Sequence, residues 1–227
     1  MRGVVPSPSA SYTGTLDRVA GYFDGTATKV WARLTSDAPV SRIRQTVREG
    51  RDAMRAMMLS RLPADLTGAR VLDAGCGTGA MASELAARGA DVLAIDIAPR
   101  LIEIAEARLP VGLPGRVTFQ AGDMLAAPGP FDAVIAMDSL IYYGEADLAR
   151  ALDRLSASAR QVVFTVAPRT PLLMAMWQAG RLFPRADRSP VMVPHAAARL
   201  ARRVPGLSRI GRVSRGFYIS DCLEVRT

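Results

Sequence analysis

Apolar positions along this chain recur in two alternating rhythms. Short continuous apolar runs fall at 70–72, 91–95, 116–120, 131–137 and 161–166, and read as buried strands. Between them apolar residues return every third or fourth position. One such segment, 80–88, is stopped by Gly89; another opens at Pro99 and carries Leu101, Ile104, Ala105 and Arg108. This alternation predicts an α/β fold with a mostly parallel sheet. The N-terminal part keeps the helical rhythm throughout. Tyr12, Leu16, Val19, Ala20 and Phe23 share one face, and Ala27, Val30, Trp31 and Leu34 share another beyond Gly25. Val40, Ile43, Val47, Met54, Met57 and Met58 trace a longer amphipathic helix closed by Pro63, read as a cover for one sheet edge. Residues 22–26, Tyr-Phe-Asp-Gly-Thr, break the helix beside an aromatic pair and read as an arm or lid. Residues 1–15, with Pro6, Pro8 and several serines, read as a frayed tail.

After the fifth strand comes the most apolar stretch. Leu172, Leu173, Met174, Met176, Trp177 and Phe183 are interrupted by Gln178, Arg181 and Arg185, then followed by Arg188-Ser189-Pro190 and Pro194-His195. Half of that stripe suits plain core. The remainder suits a large flat apolar substrate with acidic arms, or a membrane surface. The pattern divides one domain into an N-terminal tail, arm and helices (1–62), a core (63–167), an insertion (168–204) and C-terminal strands (205–227).

The 227 residues are enough for one full core, and the 49% hydrophobic content is ordinary for a globular enzyme. The chain has no continuous apolar run of membrane-spanning length. Cys76 and Cys222 make no disulfide framework, which fits a reducing cytoplasm. The 29 basic residues exceed the 21 acidic ones, for a net charge of +8. That excess suits an anionic substrate, an acidic lipid surface or nucleic acid. With 6% aromatics and no nucleic-acid motif, the last is set aside.

The chemistry concentrates in 69–79, Ala-Arg-Val-Leu-Asp-Ala-Gly-Cys-Gly-Thr-Gly. A strand feeding Gly75, Gly77 and Gly79, then a helix, brings bare backbone beside a ligand. Gly75, Gly77 and Ala80 also fit a dinucleotide fingerprint. Asp73 argues against that fit, because a carboxylate there would repel a pyrophosphate and suits a cationic ligand. The run resembles the first motif of the Rossmann-like S-adenosylmethionine methyltransferases. Asp96 ends the second strand 17 residues beyond Gly79, where an acid can accept from both ribose hydroxyls. Asp123, after the third strand, stands where the family places an acid near the adenine amino group, with Met124 as the apolar neighbour of the ring. Ile97 and Met137 complete the candidate cofactor contacts.

A closer resemblance follows from the flanking blocks. Tyr22-Phe23-Asp24-Gly25-Thr26-Ala27, Trp31-Ala32-Arg33-Leu34, Gln45-Thr46-Val47-Arg48-Glu49-Gly50, Met137-Asp138-Ser139-Leu140-Ile141-Tyr142-Tyr143 and Phe183-Pro184 with Arg188-Ser189-Pro190 resemble the magnesium-protoporphyrin IX O-methyltransferases, nearest the purple-bacterial branch of bacteriochlorophyll synthesis. The resemblance implies a Rossmann-like, doubly wound fold with a mostly parallel seven-stranded sheet, an N-terminal helical arm and a helical insertion after the fifth strand. It implies methyl transfer from S-adenosylmethionine to a ring propionate of magnesium-protoporphyrin IX, giving the monomethyl ester. The magnesium belongs to the substrate, and no protein-bound metal is expected. Contact with the large subunit of magnesium chelatase is implied, as is a cytoplasmic protein that can lie against the photosynthetic membrane.

Tyr22 falls at the position of an arm tyrosine proposed to act on substrate in the family. Tyr142 stands where relatives from oxygenic organisms carry histidine. These two are the candidate catalytic residues. Tyr143, Trp177, Arg188 and His195 are candidate substrate contacts. His195, the only histidine, also suits a purely structural place at a helix start. Two other functions stay open: methyl transfer to another hydrophobic acid or a quinone-type ring, and a non-catalytic porphyrin carrier.

Overall fold

The computed structural model describes residues 9–25, 27–36, 39, 41–171, 174 and 190–227. Seven strands form one sheet: β1 (Arg70–Ala74), β2 (Asp91–Asp96), β3 (Arg116–Ala121), β4 (Ala133–Ala136), β5 (Gln161–Val166), β6 (Leu207–Arg215) and β7 (Tyr218–Arg226). Their order is β3-β2-β1-β4-β5-β7-β6. The first five are parallel, and β7 runs antiparallel to both β5 and β6. The central strands are apolar on both faces because helices cover both: β4 is buried throughout, as are the last four residues of β1. The edge strand β3 is alternately exposed.

Six helices matter here: α1 (Ala10–Phe23), α2 (Thr28–Leu34), α3 (Arg42–Leu59), α4 (Ala80–Ala87), α5 (Pro99–Arg108) and α6 (Glu145–Ser158). Leu148, Leu152 and Leu155 of α6 fill one side of the sheet, and Met54, Met58, Met81 and Leu85 of α3 and α4 fill the other. β1 lies between β2 and β4, so the chain leaves it toward opposite sides. The crevice beyond the carboxyl ends of those strands is where such sheets bind ligands.

Two expectations are corrected by the packing. Residues from Ala10 onward are helical rather than frayed, with Ser9 capping α1 through a 3.2 Å bond from the Tyr12 N–H. Tyr12 and Thr15 are buried. The fourth strand is shorter than the apolar run: Phe131 makes only an isolated bridge to Ala159, and Met137 turns away after Ala136. The long N-terminal helix does cover a sheet edge. α3 lies on β6 and β7, so closely that a Cβ on Gly50 would fall 2.7 Å from Tyr218 Cδ1. Most of the apolar stripe of 172–189, Trp177 and Arg188 included, lies outside the described residues.

Candidate active site

A cavity of about 290 Å³ opens at the carboxyl ends of β1, β2 and β4. Its floor is the glycine loop. Gly75 has φ +83°, and a Cβ there would meet Ser139 Cβ at 2.2 Å, so only glycine lets the β1 and β4 loops close on one another. Ser139 fastens that contact by donating to the Ala74 carbonyl at 2.7 Å. The loop amides are spoken for. Gly75 and Cys76 donate to the Ile95 carbonyl at 2.8 and 3.0 Å, and Gly77 donates to Asp96 Oδ2 at 2.9 Å. A pyrophosphate would find these donors occupied, which counts against the dinucleotide alternative.

Asp73 is wholly buried on the cavity wall, and its Oδ2 has no hydrogen-bond partner. Burial, and then the nearby Asp96 charge, push it up to about 7, while the Ala82 N–H draws it the other way. A buried carboxylate that lines a cavity and has one orphaned oxygen fits a cationic ligand. Asp96 is also raised by burial, against the pull of the Ala98, Gly77 and Ile97 amides. Its Oδ1 accepts the Ala98 N–H at 2.9 Å. The Cys76 thiol is pushed well up by burial and then by Asp73 and Asp96, so it stays protonated and inert.

The structure brings most of the expected cofactor residues together. Asp73, Gly75, Gly77, Asp96, Ile97, Met124 and Met137 all line the cavity, and so do Tyr142 and Tyr143. Gly79 stands behind, where a Cβ would press on Ala105 and Phe119. Asp123 does not line the cavity. Its Oδ1 accepts the Tyr12 hydroxyl at 2.7 Å and the Leu125 N–H at 2.9 Å, so it braces α1 against the third-strand loop, and its neighbours Gly122 and Met124 form the wall. Tyr22 does not line it either; its ring stands edge-on to Phe23, with centroids 5.1 Å apart. Helices α1 and α2 instead contribute Leu16, Val19, Phe23 and Trp31.

His195 as a substrate contact is corrected by its position. It is buried, and its Nε2 donates to the Tyr143 carbonyl at 3.0 Å, while its backbone N–H donates to the Ala167 carbonyl at 2.8 Å. Burial lowers its pKa, which keeps the ring neutral. It pins the segment that presents Tyr143, whose ring stacks on Tyr12 with centroids 4.9 Å apart. No group of three or more His, Cys, Asp or Glu among the described residues could hold a metal ion.

Sequence reasoning missed a charged wall. Arg48, Arg51, Asp52 and Arg55 of α3 line the cavity, as does Asp138 after β4. The helical spacing of α3 puts its apolar residues on one face and left its polar face looking like solvent. Asp138 sat inside a quoted motif without a role.

A glycine floor, an Asp73 with one unpartnered oxygen and an Asp96 at the end of β2, all at the switch point of a seven-stranded sheet, define an S-adenosylmethionine-dependent methyltransferase. The chain is 59% identical over 221 residues to the magnesium-protoporphyrin O-methyltransferase of Rhodobacter capsulatus, spanning 96% of this chain and 99% of that protein. It belongs to the magnesium-protoporphyrin O-methyltransferase family. A family model described as magnesium-protoporphyrin IX methyltransferase C-terminus matches residues 136–227, and one described as methyltransferase domain matches 71–161. The corresponding protein of Synechocystis sp. is 30% identical over 216 residues, covering 91% of this chain and 94% of that one. The crystal structure of magnesium protoporphyrin IX methyltransferase from Synechocystis PCC 6803 with bound S-adenosylhomocysteine superposes with a TM-score of 0.78 at 29% identity, covering 92% of this chain and 98% of that chain.

Proposed function

We infer that this chain transfers the methyl group of S-adenosylmethionine to a ring propionate of magnesium-protoporphyrin IX, giving the monomethyl ester, in bacteriochlorophyll synthesis. The observation that carries the cofactor side is the orphaned Asp73 oxygen on the cavity wall. The substrate side rests on family membership along nearly the whole chain. Bound S-adenosylmethionine supplies a methyl on positively charged sulfur: one propionate oxygen forms the new C–O bond, the C–S bond breaks, and its electron pair stays on sulfur.

The propionate has an ordinary carboxylic pKa of roughly 4.3, so it arrives ionised and needs no strong base. Charge is annihilated in the transition state, so water, which favours the separated ions, slows the step. The residues therefore have to orient the reactants and keep water out, and orientation can supply up to about 7–11 kcal/mol. Asp73 is suited to the ammonium of the cofactor and Asp96 to its ribose hydroxyls. Met124 and Met137 give apolar wall. Tyr142 and Tyr143 are raised by burial first, so each phenol keeps its proton at neutral pH and serves as a donor or shield rather than a base. Tyr22 and Arg188 complete the reading on resemblance, and Trp177 on the apolar composition of the stretch around it.

The partners follow from the same reading. The basic excess, 29 residues against 21, supports contact with an acidic surface. The resemblance points to the chelatase large subunit as the source of substrate and to the photosynthetic membrane as a place of work for a cytoplasmic protein. No helix among the described residues is long and apolar enough to cross a membrane. Incubating the protein with labelled S-adenosylmethionine and magnesium-protoporphyrin IX should yield a labelled monomethyl ester. Cofactor binding without any ester would instead favour the carrier alternative, and labelling of a different acid would move the substrate assignment.

A further inference from the structure

Arg51 projects from α3 into the cavity wall with only 16% of its side chain exposed. Its guanidinium lies over the Trp31 ring, 4.7 Å from the centroid, and Nη1 donates to Asp138 Oδ2. Asp138 in turn is held from several directions. Its N–H donates to Thr165 Oγ1 at 2.7 Å. Its Oδ1 accepts from the Thr165 and Tyr218 hydroxyls, each at 3.1 Å. Asp138 adopts φ 56°, a left-handed conformation uncommon outside glycine, and the surrounding bonds maintain it. Gly50 admits the Tyr218 ring against α3. The α3 helix, the loop after β4, β5 and β7 thus converge on one ion pair beside the cofactor cavity.

Stability gives little reason to keep such a pair, because replacing a buried ion pair by apolar residues is often neutral or favourable. Its place beside the cavity gives a better one. A guanidinium carries five N–H donors, and Asp138 takes one of them, so the others can meet a second anion. A lone arginine would grip a reacting carboxylate as a tight pair and damp its attack. A guanidinium already offset by Asp138 can orient the carboxylate and still let it react.

We propose that Arg51 is a positioning residue for the reacting carboxylate, and that Asp138, steadied by Thr165 and Tyr218, offsets its charge so that the carboxylate is oriented without being locked. The proposal rests on the carboxylate-methylation reading given above. It extends that reading to Arg51, which lies outside the family blocks, and to Asp138, which one of those blocks contains.

The test uses the full chain and two porphyrins, magnesium-protoporphyrin IX and its dimethyl ester. Binding is followed by fluorescence with S-adenosylhomocysteine present, alongside steady-state methyl transfer. Wild type should prefer the diacid, and Arg51→Gln should lose about tenfold or more of that preference with KM rising in step. Arg51→Lys should restore part of it. S-adenosylhomocysteine affinity should hold in all variants, which shows that each has folded. Asp138→Asn keeps the shape and removes the charge, so it should lower KM and kcat together, each by about threefold or more. Arg51→Gln with an intact diacid preference overturns the proposal. So does Asp138→Asn that raises KM as Arg51→Gln does, because the pair is then only a bolt between α3 and the sheet. A wild type that binds S-adenosylhomocysteine but neither binds nor methylates the porphyrin overturns the substrate reading itself, a distinct result.

Discussion

Replacing Asp73 with asparagine should make the unliganded protein more stable and the cofactor complex weaker. The carboxylate is fully buried with one oxygen unpartnered, and burial and then Asp96 raise it to about 7 from an ordinary 3.8. At 1.36 kcal/mol per unit, holding it ionised costs the folded chain about 4 kcal/mol, as an order of magnitude. The sign follows from proton counting. Between about pH 4 and about pH 7 the folded state keeps a proton that the unfolded state has lost, so stability falls as pH rises through that window and levels off above it. Asparagine carries no such charge, so the variant should gain most at about pH 8 and little at about pH 5.

Ligand binding should move the opposite way. A charge-assisted bond to the ammonium of S-adenosylmethionine is worth about 1.5–3 kcal/mol, so the variant should bind it about 10- to 150-fold more weakly. Methylthioadenosine, which lacks the ammonium, should bind both proteins alike. In wild type a proton on Asp73 competes with the ligand, so affinity should drop below about pH 7, while the variant stays flat. Denaturant titrations at the two pH values and calorimetry with the two ligands measure all of this. Equal losses for S-adenosylmethionine and methylthioadenosine would refute the charge argument. A wild-type stability that climbs relative to the variant from about pH 5 to about pH 8 would refute the burial argument.

Asp96→Ala should cost about 1.5–3 kcal/mol of cofactor affinity and also lower Tm, since the Gly77 and Ala98 amides lose their acceptor; unchanged calorimetry in a folded variant would remove Asp96 from the site. Tyr142→Phe should slow single-turnover methyl transfer by about 0.5–1.5 kcal/mol, a few-fold to tenfold, and Tyr142→His should keep much of the rate. A loss of about a hundredfold in the Phe variant with binding intact would make the hydroxyl an obligatory acid or base. His195→Phe should destabilise the fold by about 1–3 kcal/mol by leaving the Tyr143 carbonyl unpaired, with methyl transfer by the folded fraction retained. An altered porphyrin KM at unchanged Tm would return His195 to the substrate site.

The cofactor half of this protein is legible in its sequence because it is local. β1, the glycine loop, α4 and β2 follow one another between Arg70 and Asp96, and their apolar runs, glycines and strand-end acids each carry their meaning within a few residues. Strand propensity fixes the elements. The turn from a parallel strand into its helix places Asp73 and Asp96 at the same sheet end. The family, too, was readable in blocks of contiguous residues. The rest depended on which distant segments meet. Arg51 pairs with a residue 87 positions away, and Tyr218 reaches the same carboxylate across 80. Those meetings follow from β7 inserting antiparallel between β5 and β6, with α3 laid over it. Nothing in the local pattern of α3 distinguishes an arginine facing a cavity from one facing water. Asp123 gave no sign in the sequence that α1 would dock on it through the Tyr12 hydroxyl. His195 looked chemical until the fold buried it against a backbone carbonyl. Local propensity acts over a few residues and can be read in order; the partner of a polar side chain is chosen by packing, which only the assembled sheet and its covering helices bring about.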